Sequence, residues 1–178
     1  MKTYIIGEIG QNHNGSVDIA KLIIDMASME IKDNLFNIKL NKIDAIKLTK
    51  RDLNHELSPL KMNELYDSPH SFGKTYGKHR EFLELSDAEH FELYDYSKSK
   101  GLDFIETLCS PSCLSILDLF KPDFLKVASR DLTNIPLLKA LAETKIPIIL
   151  STGMSNKVEL DVAIENIIKY HDNITILH

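Results

Sequence analysis

The chain has 178 residues, 43% of them hydrophobic and 26% charged, which is enough to bury a good core in one domain and ordinary for a soluble globular protein. Its net charge of -5 argues against a nucleic-acid partner, because phosphate backbones need a basic surface. It leaves room for an anionic small substrate held by a few cations in a pocket. No apolar run approaches the roughly 20 residues that cross a bilayer, and the N-terminus lacks an h-region with a cleavage site. A cytoplasmic location without a membrane partner is therefore expected.

In chain order, Thr3 to Ile9 reads as a buried strand with Glu8 near its end. The turn Asn14-Gly15-Ser16 follows, with Ser16 as a helix N-cap, and Ala20, Ile23, Ile24 and Ala27 recur at helical spacing. Ile43 to Leu48 is a second strand. Residues 50–80 carry Pro59, Pro69, Gly73 and Gly77 and read as a long loop. Ser86 caps a helix that Gly101 stops near Lys100. Beyond it the alternation is tight: strand 103–108, helix 112–120, strand 124–128, helix 136–143, strand 147–151, helix 158–170 and strand 174–178. Strands alternating with helices imply a parallel sheet with right-handed crossovers.

A doubly wound open sheet and part of a (β/α)8 barrel both fit this pattern. Glu8, Lys47, Thr107, Lys126 and Ser151-Thr152 close successive strands. In a barrel those ends converge on one mouth, whereas an open sheet needs polar groups mainly at one switch point. There is no GxGxxG and no P-loop. The expected fold is α/β, a (β/α)8 TIM barrel, incomplete with about six strands, because a full barrel takes roughly 250 residues.

Lys47 and Lys126 interrupt the apolar strands DAIKL and DFLKVAS. Two ammonium groups at equivalent strand ends suit a phosphate or carboxylate, with hydroxyls of Thr107, Ser129, Ser151 and Thr152 as further donors. The bland alternative pairs each lysine with a buried carboxylate, Glu8 or Glu106. Ser151-Thr152-Gly153-Met154 is a small-residue turn whose backbone N–H groups can approach a ligand. Arg130 is either a further cation of this site or the ion-pair partner of Asp131 or a neighbour. Cys109 and Cys113 are too few for a metal site and read as two reduced thiols in a packed region.

The stretches IGEIGQNHNGS, DAIKL, SFGKTYGKHREFLELS, FIETLCS, FLKVASRDLTNIPLL and PIILSTGM resemble the sialic acid synthase (N-acetylneuraminate synthase) family, nearest its spore-coat polysaccharide synthase branch. The likeness runs in order from about residue 4 to the end. It implies a TIM barrel that condenses phosphoenolpyruvate with an N-acetylmannosamine-like hexosamine, giving a nine-carbon 2-keto sugar acid and phosphate. It implies that Lys47 and Lys126 hold phosphoenolpyruvate, that Thr107, Ser129 and Ser151 are its hydroxyl donors, and that Glu8 meets the sugar end and transfers a proton.

On this reading the Glu8 carboxylate points into the mouth, towards the sugar end and away from the phosphate ligand of the two lysines, with a permanent Glu8–Lys47 salt bridge as the alternative. His13 orders the first mouth loop rather than binding metal. The resemblance also implies a divalent metal, manganese or magnesium, whose histidine ligands follow the sixth strand and lie outside this chain, and a homodimer when the enzyme is complete. Residues 1–178 would then be the N-terminal part of the catalytic barrel, without the remaining strands and the antifreeze-like domain. This chain departs from the family at Lys47-Leu48-Thr49, where relatives carry Lys-x-Gln, and at 30–43, which replaces a short Gly-containing turn. Two other readings stand beside it: a class I aldolase in which Lys126 or Lys47 forms a Schiff base, and a non-catalytic truncated barrel kept for assembly.

Overall fold

The structure is a computed structural model that describes residues 3–177. Six parallel strands form one sheet in chain order. They are β1 (Ile6–Gly10), β4 (Ala45–Lys50), β5 (Asp103–Leu108), β6 (Phe124–Val127), β7 (Ile148–Ser151) and β8 (Ile174–Leu177). A short antiparallel pair, β2 (Ile31–Asp33) and β3 (Ile38–Leu40), stands apart from it. Each expected strand is present, β5 with the expected ends and the others with ends moved by at most three residues. His178, the last residue of the expected sixth strand, lies outside the described residues. Among those residues β1 pairs only with β4 and β8 only with β7, so the barrel is not closed.

Local chemistry sets the helices. α1 (Val17–Ser28) starts where the Ser16 hydroxyl accepts the Ile19 N–H at 3.3 Å, and α5 (Asp87–Ser99) starts at a Ser86/Glu89 capping box. Gly101 follows α5 at φ +66°, a conformation open to glycine. α6 (Ile135–Glu143) and α7 (Lys157–Ile167) start at Asn134 and Asn156, whose side chains cap backbone N–H groups. None of the described helices is long and apolar enough to cross a membrane.

Two expectations are corrected. Residues 50–80 are not one loop: they hold α2 (Leu53–Glu56), α3 (Pro59–Asn63) and α4 (Tyr76–Leu83). Asp52, Ser58 and Thr75 cap these helices, and Pro59 opens α3, where a missing N–H costs nothing. The 112–120 segment is a 3-10 helix, Pro111–Asp118. The segment 30–43, which stands in place of a short Gly-containing turn, holds the β2–β3 hairpin, with Ile31 opposite Leu40.

The two faces of the sheet divide the core. Outward residues Ile46, Leu48, Phe104, Leu125, Val127, Ile148 and Leu150 pack under the helices in the main cluster. Inward residues Ala45, Ile105 and Ile149, with Ile6 and Phe124 against them, form a second, smaller cluster. Because side chains alternate along a strand, the next inward positions are Glu8, Lys47, Thr107, Lys126 and Ser151.

Candidate active site

Register brings these side chains together. Glu8 lies level with Lys47 across β1–β4, Thr107 level with Lys126 across β5–β6, and Thr49 level with Thr107 across β4–β5. A cavity of about 360 Å³ opens on this inner face, lined by Ile6, Glu8, Lys47, Lys126, Ile149, Ser151 and Leu177. Apolar residues make its floor and charged ones its wall.

Lys47 Nζ pairs with Glu8 Oε2 and donates to Thr107 Oγ1 at 3.2 Å. Lys126 is 8% exposed, and its Nζ donates to the Val127 carbonyl at 2.6 Å. Burial, and then the nearby Lys47 ammonium, bring the Lys126 pKa down from 10.5 to about 8. The Glu8 carboxylate lines the cavity, as expected, and there forms the Lys47 salt bridge given as the alternative. A largely buried ammonium needs a counter-charge, and the level position on the adjacent strand supplies the nearest one.

Glu106 is not the counter-ion of either lysine. It is adjacent to Thr107 on β5, so it faces outward, where its Oε2 lies 2.9 Å from His90 Nδ1. Both side chains of that pair are fully buried.

Ser129 stands just beyond β6, on a 3-10 turn (Ser129–Asp131). A Cβ on Gly153 would sit 3.0 Å from its Oγ, so the serine packs against the turn after β7, at the edge of the cavity rather than in its wall. In that turn Thr152 N–H and Oγ1 both donate to the Leu177 carbonyl, at 3.2 and 3.0 Å. The Thr152 N–H expected for a ligand is thus engaged by β8.

The first mouth loop is held from within. His13 is buried, and its Nδ1 accepts the Gly15 N–H at 3.1 Å. Burial lowers its pKa. Gln11 Nε2 donates to Glu84 Oε1 at 2.8 Å, tying the loop to the end of α4. Asn14 and Gly15 adopt positive φ. These contacts give His13 a loop-ordering place.

Arg130 takes the ion-pair alternative, with Glu56 at 2.6 Å and Asp131 at 3.4 Å. Both cysteines are free and buried, and burial pushes the Cys109 thiol up to about 11. Sequence reasoning missed Arg51, Glu56 and His90. Arg51 immediately follows the end of β4, which was the one available signal.

Among the described residues no three or more His, Cys, Asp or Glu side chains gather as a metal ion would require. His13 Nδ1, the nearest such nitrogen to the mouth loop, is engaged by a backbone N–H. The resemblance puts the metal's histidine ligands after the sixth strand, and the described residues offer no set of their own to hold it.

A profile of the NeuB family matches residues 37–178. The N-acetylneuraminate-9-phosphate synthase of Drosophila melanogaster is 35% identical over 85% of this chain, which spans 38% of that protein. The N,N'-diacetyllegionaminic acid synthase of Legionella pneumophila is 31% identical over 97% of this chain and 46% of its own length. The chain thus spans less than half the length of these relatives. The crystal structure of the sialic acid synthetase of Leptospira borgpetersenii in complex with citrate superposes with a TM-score of 0.77 at 26% identity, covering 100% of this chain and 54% of that one. A truncated 3-deoxy-D-arabino-heptulosonate 7-phosphate synthase from Thermotoga maritima superposes at 0.60 and 12% identity, covering 97% of this chain and 50% of that one, a likeness of fold alone.

Proposed function

The chain belongs to the NeuB family, and we propose that residues 1–178 are the N-terminal part of a TIM-barrel domain that condenses phosphoenolpyruvate with an N-acetylmannosamine-like sugar. One observation carries this reading: the inner-face cavity holds two ammonium groups, Lys47 and Lys126, against the single carboxylate of Glu8. That excess of positive charge in a partly apolar cavity suits an anion.

The roles follow from charge and position. Lys47 and Lys126 bind the phosphate and carboxylate of phosphoenolpyruvate, with Thr107, Ser129 and Ser151 as neutral donors. Carbon 3 of the enol forms a bond to the sugar aldehyde carbon, and the aldehyde oxygen takes up a proton. Water adds at carbon 2. The tetrahedral centre then expels phosphate by C–O cleavage, leaving the 2-keto acid. Glu8 holds or exchanges a proton at the aldehyde oxygen or the attacking water. An anion that engages Lys47 competes with Glu8 for the same ammonium and frees the carboxylate for that work.

The test is Glu8→Gln in the complete enzyme. Turnover should fall about 10²-fold or more, with phosphoenolpyruvate binding retained. Near-normal turnover would leave Glu8 a structural partner of Lys47. The lowered pKa of buried Lys126 favours one competing reading, a Schiff-base aldolase. Borohydride treatment with pyruvate distinguishes the two, since a reduced adduct on Lys126 would support the aldolase.

A further inference from the structure

Four charged side chains form a group at the rim that the reaction above does not use. Arg51 follows β4, Glu56 ends α2, and Arg130 and Asp131 lie on the turn after β6. Both arginines place Nη1 on the same oxygen, Glu56 Oε1, Arg130 at 2.6 Å. Arg130 Nε also faces Asp131 Oδ2 at 3.4 Å. The side chains of Arg51, Glu56 and Asp131 are 18%, 14% and 14% exposed. Two cations meet two anions, so the group is neutral, unlike the cavity beside it.

The placement matters more than the charge. β5 lies between β4 and β6 in the sheet, so a tie from Arg51 to Arg130 spans the end of β5. Cys109, the first residue after β5, feels all four charges. α2 has no buried residue, so its place on the rim depends on polar contacts. Asp52 supplies one, accepting from Ser112 Oγ at 2.7 Å, and Glu56 supplies another. Glu56 alone touches both arginines. Arg130 is bonded in sequence to Ser129, whose Oγ packs against Gly153, and Asp131 contributes to the field at Lys126.

We propose that Glu56 is a positioning residue: by holding Arg51 and Arg130 on one carboxylate oxygen it fixes the 129–131 turn, and with it Ser129, beside the anion site. The proposal rests on the phosphoenolpyruvate reading given above. It predicts an effect on anion affinity from a residue that does not line the cavity. Release of Arg130 lets the turn shift, and a displacement of about 1 Å in a positioned donor is enough to weaken a bound state measurably.

The experiment titrates the complete enzyme with phosphoenolpyruvate and separately with inorganic phosphate, by calorimetry. The variants are Glu56→Gln, Arg130→Gln and the double substitution, and amide hydrogen exchange is followed over residues 128–132. Each single variant should weaken phosphoenolpyruvate binding about tenfold. The double variant should be no weaker than either single, because both break one tie. Exchange should quicken over 128–132 and stay unchanged in α7.

Unchanged affinity with a lowered melting temperature would overturn the proposal and leave Glu56 a stabilising residue only. Additive losses would overturn it too, since Arg130 would then meet the anion itself. Arg130 is 42% exposed, so its variant remains foldable if Glu56→Gln does not fold. If the unaltered complete enzyme binds neither anion, the phosphoenolpyruvate reading fails. The exchange data then decide the tie alone: unchanged exchange refutes it and quickened exchange upholds it.

Discussion

Replacing Lys126 by methionine should make the protein more stable. The lysine is 8% exposed, and burial, followed by the repulsion of Lys47, takes its pKa from 10.5 to about 8. A fall of that size corresponds to about 3 kcal/mol spent at pH 7 on keeping the ammonium charged in the folded state. Methionine keeps the length and apolar stem without the charge. It loses the bond from Nζ to the Val127 carbonyl, worth about 1 kcal/mol. The net gain at pH 7 is then about 2 kcal/mol.

The sign of the pH dependence is fixed by which state holds more protons. Between about pH 8 and 10.5 the unfolded chain keeps the Lys126 proton and the folded chain has lost it, so the unaltered protein gains stability as pH rises through that window. The variant has no such group, and its advantage should shrink to about zero near pH 10. Urea unfolding of both proteins at pH 7 and pH 10 measures the difference, with other titrations cancelling between them. If the two unfolding curves keep the same separation at both pH values, or if the variant is the less stable at pH 7, the account of Lys126 as a strained buried cation is wrong.

Two further outcomes are expected. His90→Leu leaves the fully buried Glu106 carboxylate without its partner and should cost about 3–5 kcal/mol, most of it recovered when Glu106→Leu is added; thermal denaturation of the single and double variants reads this. Gly15→Ala places a Cβ 2.2 Å from the Phe82 carbonyl oxygen at a φ of +72°, so urea unfolding should show a loss above about 1 kcal/mol, and unaltered stability would mean that the first mouth loop is free to move off α4.

Much of the sheet was legible because its strands are apolar runs of β-branched and aliphatic residues cut off by polar ones. Ile148 to Leu150, between Pro147 and the small-residue turn at Ser151, is too short for a helix and reads as a strand. The helices of 50–80 were not legible, because a one-turn helix such as α2 has no room for a 3.6-residue period. Its only mark is a cap, Asp52, in a stretch where prolines and glycines suggest turns. Pro59 was read as a breaker although it sits at the first position of α3. The hairpin was hidden for a related reason: three-residue strands carry too little alternation to separate from a polar insertion.

The site divides in the same way. Alternation along β5 guarantees that Glu106 and Thr107 face opposite sides of the sheet, but it does not say which side meets the lysines. That depends on register between strands. Thr107 level with Lys126, and Glu8 level with Lys47, settle which carboxylate reaches the ammonium groups. Once register is known, the charges sort themselves by neutrality. On the outer face His90 answers Glu106. On the rim, two arginines answer Glu56 and Asp131. On the inner face the balance fails towards positive charge, where two lysines meet one glutamate and burial lowers the basicity of one of those lysines. A chain free to choose would fill Lys126 with an aliphatic side chain and fold more tightly. That it carries a costly cation where packing asks for methionine or leucine is the physical ground for placing an anionic substrate at that position.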